Sequence, residues 1–448
     1  MLYMQKNNKS NMNIITKKYL TIITIFLFLG LAVVPSLKSS SLNLNNEKVN
    51  IKNQSDLSVV HIEASSSYDY GYKVGKLFKP HFKLLNLFAK LSGKQKIREG
   101  YFNNQLDSMK KYCPFIFDEF RGLSTSTNIN IDQLIYLKYF MFNYVNERCM
   151  SFSCTGPATK NDETILVQKR DTSNTFYKIS LQKFIYVFIE RYFLSRLLWV
   201  KDNGGYSSNY RYIFFGIPVL FEWPLINEKG LGFGASGTVA TTNESREFDE
   251  GSGIPSEMLW VLCMLTCKNV SEVAELYKGV ERASYKGSQV NEVAVFCDSE
   301  GGILMIEQTH SYIATVFGNS TEITNASEGI LWRVSHHQWL DPYKTGSVTP
   351  EEFPASAIRA NRTLELLEKY HGDITLDICK KITRDHGGGF NPDGKDPADI
   401  CRHSDKHGIG LEYFTYIIDP KDMSIYICRG PPCRNIYRKY NVLKLFEK

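Results

Sequence analysis

The periodicity of the chain changes at residue 149, and this change limits what the chain can fold into more than any other feature. Residues 66–148 are mostly helical in pattern, with apolar side chains at i, i+3 and i+4 through 78–94, 102–124 and 132–147. From Cys149 onward, short strand-like runs take over. Two lie at 151–154 and 164–170, and others at 210–217, 230–241, 291–298, 301–309 and 313–318. Helical patterns recur between them at 255–266, 270–280 and 356–370, and residues 412–430 read as two strands around a Pro420-Lys421-Asp422 turn. Strands punctuated by helices predict an α+β layered domain with largely antiparallel sheets. No internal repeat of solenoid or propeller length is visible. Residues 38–55, rich in Ser, Asn and Lys, read as a disordered lead-in. Residues 180–200 read as a long apolar helix, either part of the core or lining an acyl-chain pocket or touching a lipid surface.

The 448 residues suffice for one large domain or two ordinary ones, and 43% hydrophobic content permits a sizeable core. The formal charge of +6 drops to +2 once residues 1–37 are set aside, because that stretch holds four lysines and no acid. No long basic run is present, so no nucleic-acid partner is expected. Residues 19–34 form an apolar run preceded by Lys17 and Lys18. It is shorter than a bilayer span of roughly 20 residues and reads as a signal peptide ending near residue 37, with an uncleaved signal anchor as the rival. Sequons at Asn53, Asn243, Asn269, Asn319, Asn325 and Asn361 support export. The expected product is a glycoprotein, secreted or delivered to a lysosome-like compartment.

Ten cysteines suit an oxidising compartment but are too few for a disulfide scaffold at this length. Cys428 and Cys433, flanking an Arg-Gly-Pro-Pro turn, are the pair most expected to bond. Cys263 and Cys267 read as buried positions on a helix face, and Cys154 as structural. Cys401, His403 and His407 have a spacing seen in zinc sites, but the intervening residues are polar and no fourth ligand stands out. No metal or other cofactor is expected. Gly387–Gly389 reads as a flexible loop rather than a phosphate cradle, since no Lys-Ser/Thr follows.

The chemistry concentrates around Cys149. A strand begins at this residue, a turn follows at Lys160–Glu163, and a second strand ends at Asp171. A hairpin of that form returns Asp171 to the neighbourhood of Cys149. A carboxylate alone raises a thiol pKa, so the pair makes chemical sense with a cation between them. A free α-amino group on Cys149, with a reference pKa of about 7.7–8.0, supplies either that cation or, when neutral, the base.

Cys149, Phe152, Gly156, Ala158, Thr159 and Asp171, in this register, resemble the penicillin acyltransferase-like family of cysteine N-terminal-nucleophile hydrolases, related to acid ceramidase and bile-salt hydrolase. Asn227–Leu231, Gly253-Ile254-Pro255, Asp385-His386 and Ile400-Cys401-Arg402-His403 continue the resemblance, which runs from about residue 65 to residue 440. The last segment, through Cys428 and Cys433, has a cysteine spacing similar to that of acid ceramidase. The resemblance implies a four-layer αββα sandwich in which a helical pro-segment, 38–148, stays bound to a catalytic domain, 149–448, after cleavage of the Arg148–Cys149 bond. It further implies that Cys149 is the nucleophile, that Asp171 holds the new N-terminus and that Arg402 is an active-site arginine. The implied substrate is a small-molecule or lipid amide, with acyl transfer as an alternative outcome. Three departures stand out. Arg148 replaces the usual glycine, Gln168-Lys169-Arg170 replaces Arg-Asn before the aspartate, and Ser335 or His336 takes the place of an oxyanion-hole asparagine. With His337 next to them, these histidines belong either to the site or to a structural hydrogen-bond network. Arg148 and the missing asparagine also fit a third reading, a catalytically silent secreted binding module.

Overall fold

The computed structural model describes residues 42–44, 47–54, 57–91, 101–143, 149–172, 197–202, 209–237, 252–283, 292–345, 349–352, 354–387, 399–402 and 411–447. Sixteen strands form two sheets among these residues. The larger sheet contains β1 (Leu42–Leu44), β2 (Glu47–Gln54), β3 (Leu57–Ile62), β6 (Leu197–Lys201), β7 (Tyr212–Ile217), β8 (Phe221–Asn227), β9 (Gly232–Gly237), β10 (Glu292–Cys297), β11 (Ile303–Gln308) and β12 (Ile313–Phe317), in that spatial order. The smaller sheet runs β13 (Ile330–Arg333), β4 (Met150–Cys154), β5 (Ile165–Thr172), β14 (Leu411–Asp419), β15 (Ser424–Arg429), β16 (Arg438–Asn441). All pairings are antiparallel except β3 with β6.

The helices cover the outer faces. The N-terminal segment supplies α1 (Ser67–Leu91), α2 (Tyr101–Tyr112), α3 (Pro114–Thr127) and α4 (Ile131–Asn143). Pro80 lies inside α1, and the helix is kinked at Phe78 (φ −111°, ψ 18°). α1 and α3 cross at glycines, and a Cβ on Gly71 would stand 1.9 Å from the Glu119 carbonyl oxygen. α5 (Ser256–Thr266) and α6 (Val270–Gly279) lie on the larger sheet, where Trp260 packs on Trp223 and Phe233, and Tyr277 on Phe296. α7 (Pro354–Lys369) and α8 (Leu376–Thr383) cover the outer face of the smaller sheet through Leu367, Cys379 and Ile382, which pack with Met150, Phe152, Ile165 and Val167.

The two sheets face each other directly. Phe414 of the smaller sheet meets Phe215 of the larger at 5.1 Å between ring centres, and the Tyr416 hydroxyl donates to the Phe233 carbonyl at 2.9 Å. The result is four layers, helix–sheet–sheet–helix, the α+β arrangement expected. Three expectations need correction. Residues 42–44 and 47–54 are strands rather than a disordered lead-in, because β2 pairs with β3 and β1 with β2, which supplies backbone partners that their polar composition does not reveal. Residues 38–148 are therefore not only helical. Residues 197–201, expected as the end of an apolar helix, form β6; its Trp199 stacks on Phe214 of β7, and cross-strand packing overrides helical spacing. The rest of that expected helix, and the apolar run at 19–34, lie outside the described residues. Among the described residues, no helix is long and apolar enough to cross a membrane.

Candidate active site

β4 and β5 form the expected hairpin. Met150 pairs with Lys169 and Cys154 with Ile165. Continuing this register sets Cys149 opposite Arg170, with Asp171 one residue beyond. Strand alternation divides the neighbourhood into two faces. Ser151, Ser153, Gln168 and Arg170 point between the sheets, whereas Met150, Phe152, Val167 and Asp171 point toward α7 and α8. The electrostatics place Cys149 on the inner side: its thiol, with Arg170 and Arg333, acts on the inward-facing Tyr416 hydroxyl, whose pKa burial drives upward. The sulfur and the Asp171 carboxylate thus sit on opposite faces of the strand pair. The main chain of residue 149 is what lies between them.

Asp171 is fully buried, and its partner is Arg359 of α7, with Nη2 2.6 Å from Oδ2. Neither carboxylate oxygen accepts a well-formed hydrogen bond from a described group. The same guanidinium donates to the Ile400 carbonyl at 3.3 Å, which ties the Asp399–Arg402 segment to the pair.

On the inner face, Arg333 Nη2 donates to Ser151 Oγ at 2.9 Å and to Gln168 Oε1 at 3.2 Å, and Ser151 also donates to Gln168. Gly234 of β9 lies directly above; a Cβ there would come within 2.7 Å of Gln168 Oε1. Ser335 follows β13, and its hydroxyl lies 3.4 Å from the Cys149 carbonyl oxygen and 3.4 Å from Ser236 Oγ.

No protein-family model matches the chain, and no curated protein matches it in sequence. Solved structures similar to it include a mutant of conjugated bile acid hydrolase from Clostridium perfringens, at 15% identity over 66% of this chain and 93% of that one, with a TM-score of 0.37. Penicillin V acylase from Agrobacterium tumefaciens is similar at 12% identity over 63% and 83% of the two chains, with a TM-score of 0.39. A second variant of the same bile acid hydrolase is similar at 13% identity over 67% and 90% of the two chains, with a TM-score of 0.28. These likenesses are distant, and the layer order above comes from this chain's own packing.

The remaining expected site residues have these contacts. Arg402 is buried, and its Nε donates to the Asp399 carbonyl at 3.3 Å. The guanidinium paired with Asp171 is that of Arg359, not Arg402. His336 turns toward α7, where Nδ1 lies 2.8 Å from Ser356 Oγ. His337 lies 3.1 Å from Thr345 Oγ1. Burial pushes His336 down to about 4 and His337 to about 3, so both imidazoles are neutral at working pH. Of the two residues expected in place of the asparagine, Ser335 is therefore the one beside Cys149. Glu307 accepts three main-chain N–H bonds from Gln338, Trp339 and Leu340 at 2.6–2.9 Å and anchors that segment, while burial raises its carboxyl to about 7.

Two buried arginines were missed by the sequence reading. Arg359 is legible in hindsight, because it falls on the buried stripe Ser356, Arg359, Ala360, Thr363, Leu366 and Leu367 of α7, where an unpartnered charge is not tolerated. Arg333 carries no such signal, since a four-residue strand gives little periodicity. The cleft lined by Leu57, Arg429, Arg438 and Tyr440 lies on β15 and β16, with β5 and β14 between it and Cys149.

The cysteines also depart from expectation. Cys428 and Cys433 are not bonded to each other; Cys428 is buried with its thiol toward the Gly430 carbonyl at 3.8 Å. Cys263 is buried on α5, Cys267 caps it, and Cys154 is buried with its thiol pKa driven upward, so these three read as structural.

Proposed function

We propose that this chain is a self-processing cysteine amidohydrolase of the N-terminal-nucleophile type, acting on linear amides in the secretory route or a lysosome-like compartment. The observation that carries the proposal is Asp171, a fully buried carboxylate at the mouth of the β4–β5 hairpin whose acceptor capacity is not filled. A buried acceptor left short of donors requires an explanation. An α-ammonium group released at Cys149 is a donor of the right charge, and it would arise at the strand end adjoining that carboxylate.

Processing begins with attack of the Cys149 sulfur on the Arg148 carbonyl carbon. The C–N bond breaks and its nitrogen takes a proton, which frees the α-amine; water then cleaves the resulting thioester, releasing the Arg148 carboxylate and restoring the Cys149 thiol. In turnover, the sulfur adds to the substrate carbonyl while the α-amine accepts the thiol proton. That proton passes to the departing nitrogen as the substrate C–N bond breaks, and water then hydrolyses the acyl thioester. Arg359 holds Asp171, and the Ser151–Gln168–Arg333 cluster sets the polarity of the inner face. The Ser335 hydroxyl, 3.4 Å from the Cys149 carbonyl oxygen, is the candidate oxyanion donor. The pro-segment remains bound through β3 and the α1–α4 packing. Exposure of Asn319, Asn325 and Asn361 supports the glycoprotein reading. Asn269 Oδ1 caps α6, leaving its amide nitrogen for the sugar.

The test is denaturing electrophoresis of protein expressed through a secretory host, with N-terminal sequencing. A fragment beginning Cys-Met-Ser-Phe, absent in Cys149→Ala, supports the reading. An intact chain in both, with equal turnover of N-acyl amide probes, overturns it. Product that forms only with an added amine distinguishes acyl transfer from hydrolysis.

A further inference from the structure

Three soft ligands converge from separate parts of the chain next to the Asp171–Arg359 pair. His386 follows α8, Cys401 lies in the Asp399–Arg402 segment, and Cys433 ends the Pro-Pro turn after β15. One donor atom of each lies within 4.8 Å of the other two, the one such grouping found among the described residues. Hydrogen bonds that use none of those three side chains hold the segments together. Cys401 N–H donates to the Asp385 carbonyl at 2.9 Å, His386 and Asp399 form a β-bridge, and Arg384 Nε donates to the Pro432 carbonyl at 3.0 Å. Asp385 is committed to Arg362 at 2.8 and 3.0 Å and is not a competing ligand.

We propose that His386, Cys401 and Cys433 form a binding site for a thiophilic divalent cation, zinc in the first instance. Two thiolates and an imidazole are the donor set zinc favours, at about 2.3 Å to sulfur and about 2.0 Å to nitrogen. A tetrahedral ion keeps such donors roughly 3.7 Å apart, so closure needs movements of roughly an ångström. Cys433 stands at the exposed side of the grouping. Both thiols release their protons to solvent on binding, the imidazole gives a lone pair, and water takes the fourth position. The buried Asp399 carboxylate lies 3.9 Å from His386 Nδ1, where it can orient a ligating ring. Occupancy would lock the Pro-Pro turn to the residue preceding Arg402, making the site a positioning device for the segment that Arg359 also holds. Of the zinc-like spacing Cys401, His403 and His407, only Cys401 lies in the described residues. A simple Cys401–Cys433 disulfide would leave the histidine without a role.

The test uses the full chain, purified without chelator and assayed for zinc by mass spectrometry, then reloaded with cobalt. One zinc per chain and a thiolate-to-cobalt absorption band are expected. His386→Gln and the surface variant Cys433→Ser should each lose the band while unfolding at the apo-protein's temperature. Asp399→Asn should weaken binding by about 10- to 100-fold. A Cys401–Cys433 disulfide in non-reduced peptides, or free thiols with neither zinc nor cobalt band, overturns the proposal. Metal content is read without any turnover assay, so this inference and the proposed activity fail separately.

Discussion

Lys201 at the end of β6 and Asp171 at the end of β5 are both buried charges at a strand terminus. Lys201 donates to Glu119 of α3 at 2.8 Å and to the two Glu222 oxygens at 3.1 and 3.2 Å. Glu222 also accepts from the Val219 amide at 2.7 Å and from the Tyr212 hydroxyl, and the Tyr70 ring lies 4.9 Å from the ammonium. Among the described residues, Asp171 has one guanidinium and no further well-formed bond. The saturated cluster is a fastening between the N-terminal helices and the main body. The unsaturated one keeps acceptor capacity for a further donor, and the difference is what separates a structural ion cluster from a candidate site in this fold.

The sharpest way to break the comparison is substitution of the two charges. Asp171→Asn should abolish self-cleavage and cut turnover by about 10²- to 10⁴-fold, read by electrophoresis and amide hydrolysis. Lys201→Met should leave the cleavage pattern of the folded fraction unchanged but lower stability by about 3–5 kcal/mol, because two carboxylates lose their cation; urea unfolding measures it. Equal loss of cleavage in both variants would erase the distinction. A smaller effect is expected from Gly234→Ala, whose methyl must displace the Gln168 amide from Ser151 and Arg333. That overpacking should cost about 1–3 kcal/mol, with kcat falling more than KM rises.

The smallest effect is in pH dependence. Burial raises Glu119 from 4.5 to about 7, against the opposing pull of Lys201. Its stabilising share is therefore complete below about pH 4.5 and lost as pH rises toward 7. Burial lowers His336 from 6.5 to about 4, so its share is complete above about pH 6.5 and lost as pH falls toward 4. The two slopes oppose each other. Glu119→Gln should leave a protein whose melting temperature falls more steeply on acidification than wild type, and His336→Gln one in which it falls less. Calorimetry across that range reads the difference, expected at a few degrees.

The layered α+β class, most helices, the β4–β5 hairpin and its terminal aspartate were legible because period-two and helical spacing are local signals. β1 and β2 were not, because the alternations Leu42-Asn43-Leu44 and Val49-Asn50-Ile51 hold only two apolar residues each among Ser, Asn and Lys, and the strands exist through the pairing of β1 with β2 and of β2 with β3. β6 was hidden inside an apolar stretch in which helix and strand spacing are indistinguishable. Cys149, Asp171 and Ser335 were found as a group, since a strand pair and its neighbour bring them together. Arg402 was expected as an active-site arginine by resemblance alone; the guanidinium on the aspartate is that of Arg359, and how α7 crosses the sheet to bring it there is not encoded by spacing along the chain. The Cys433 thiol escaped for the same reason, because its neighbours Cys401 and His386 are distant in sequence.

β3 is an interior strand, hydrogen-bonded to β2 on one side and, through residues 58–61, to β6 on the other. A break before Cys149 would thus leave two polypeptides sharing one sheet, joined like a woven edge rather than docked like a lid. Pulling them apart means rupturing that ladder and wetting the α1 and α3 aromatics at once. The severed molecule should therefore elute as a single particle and melt in one transition, with the shorter chain persisting as a permanent part of the particle.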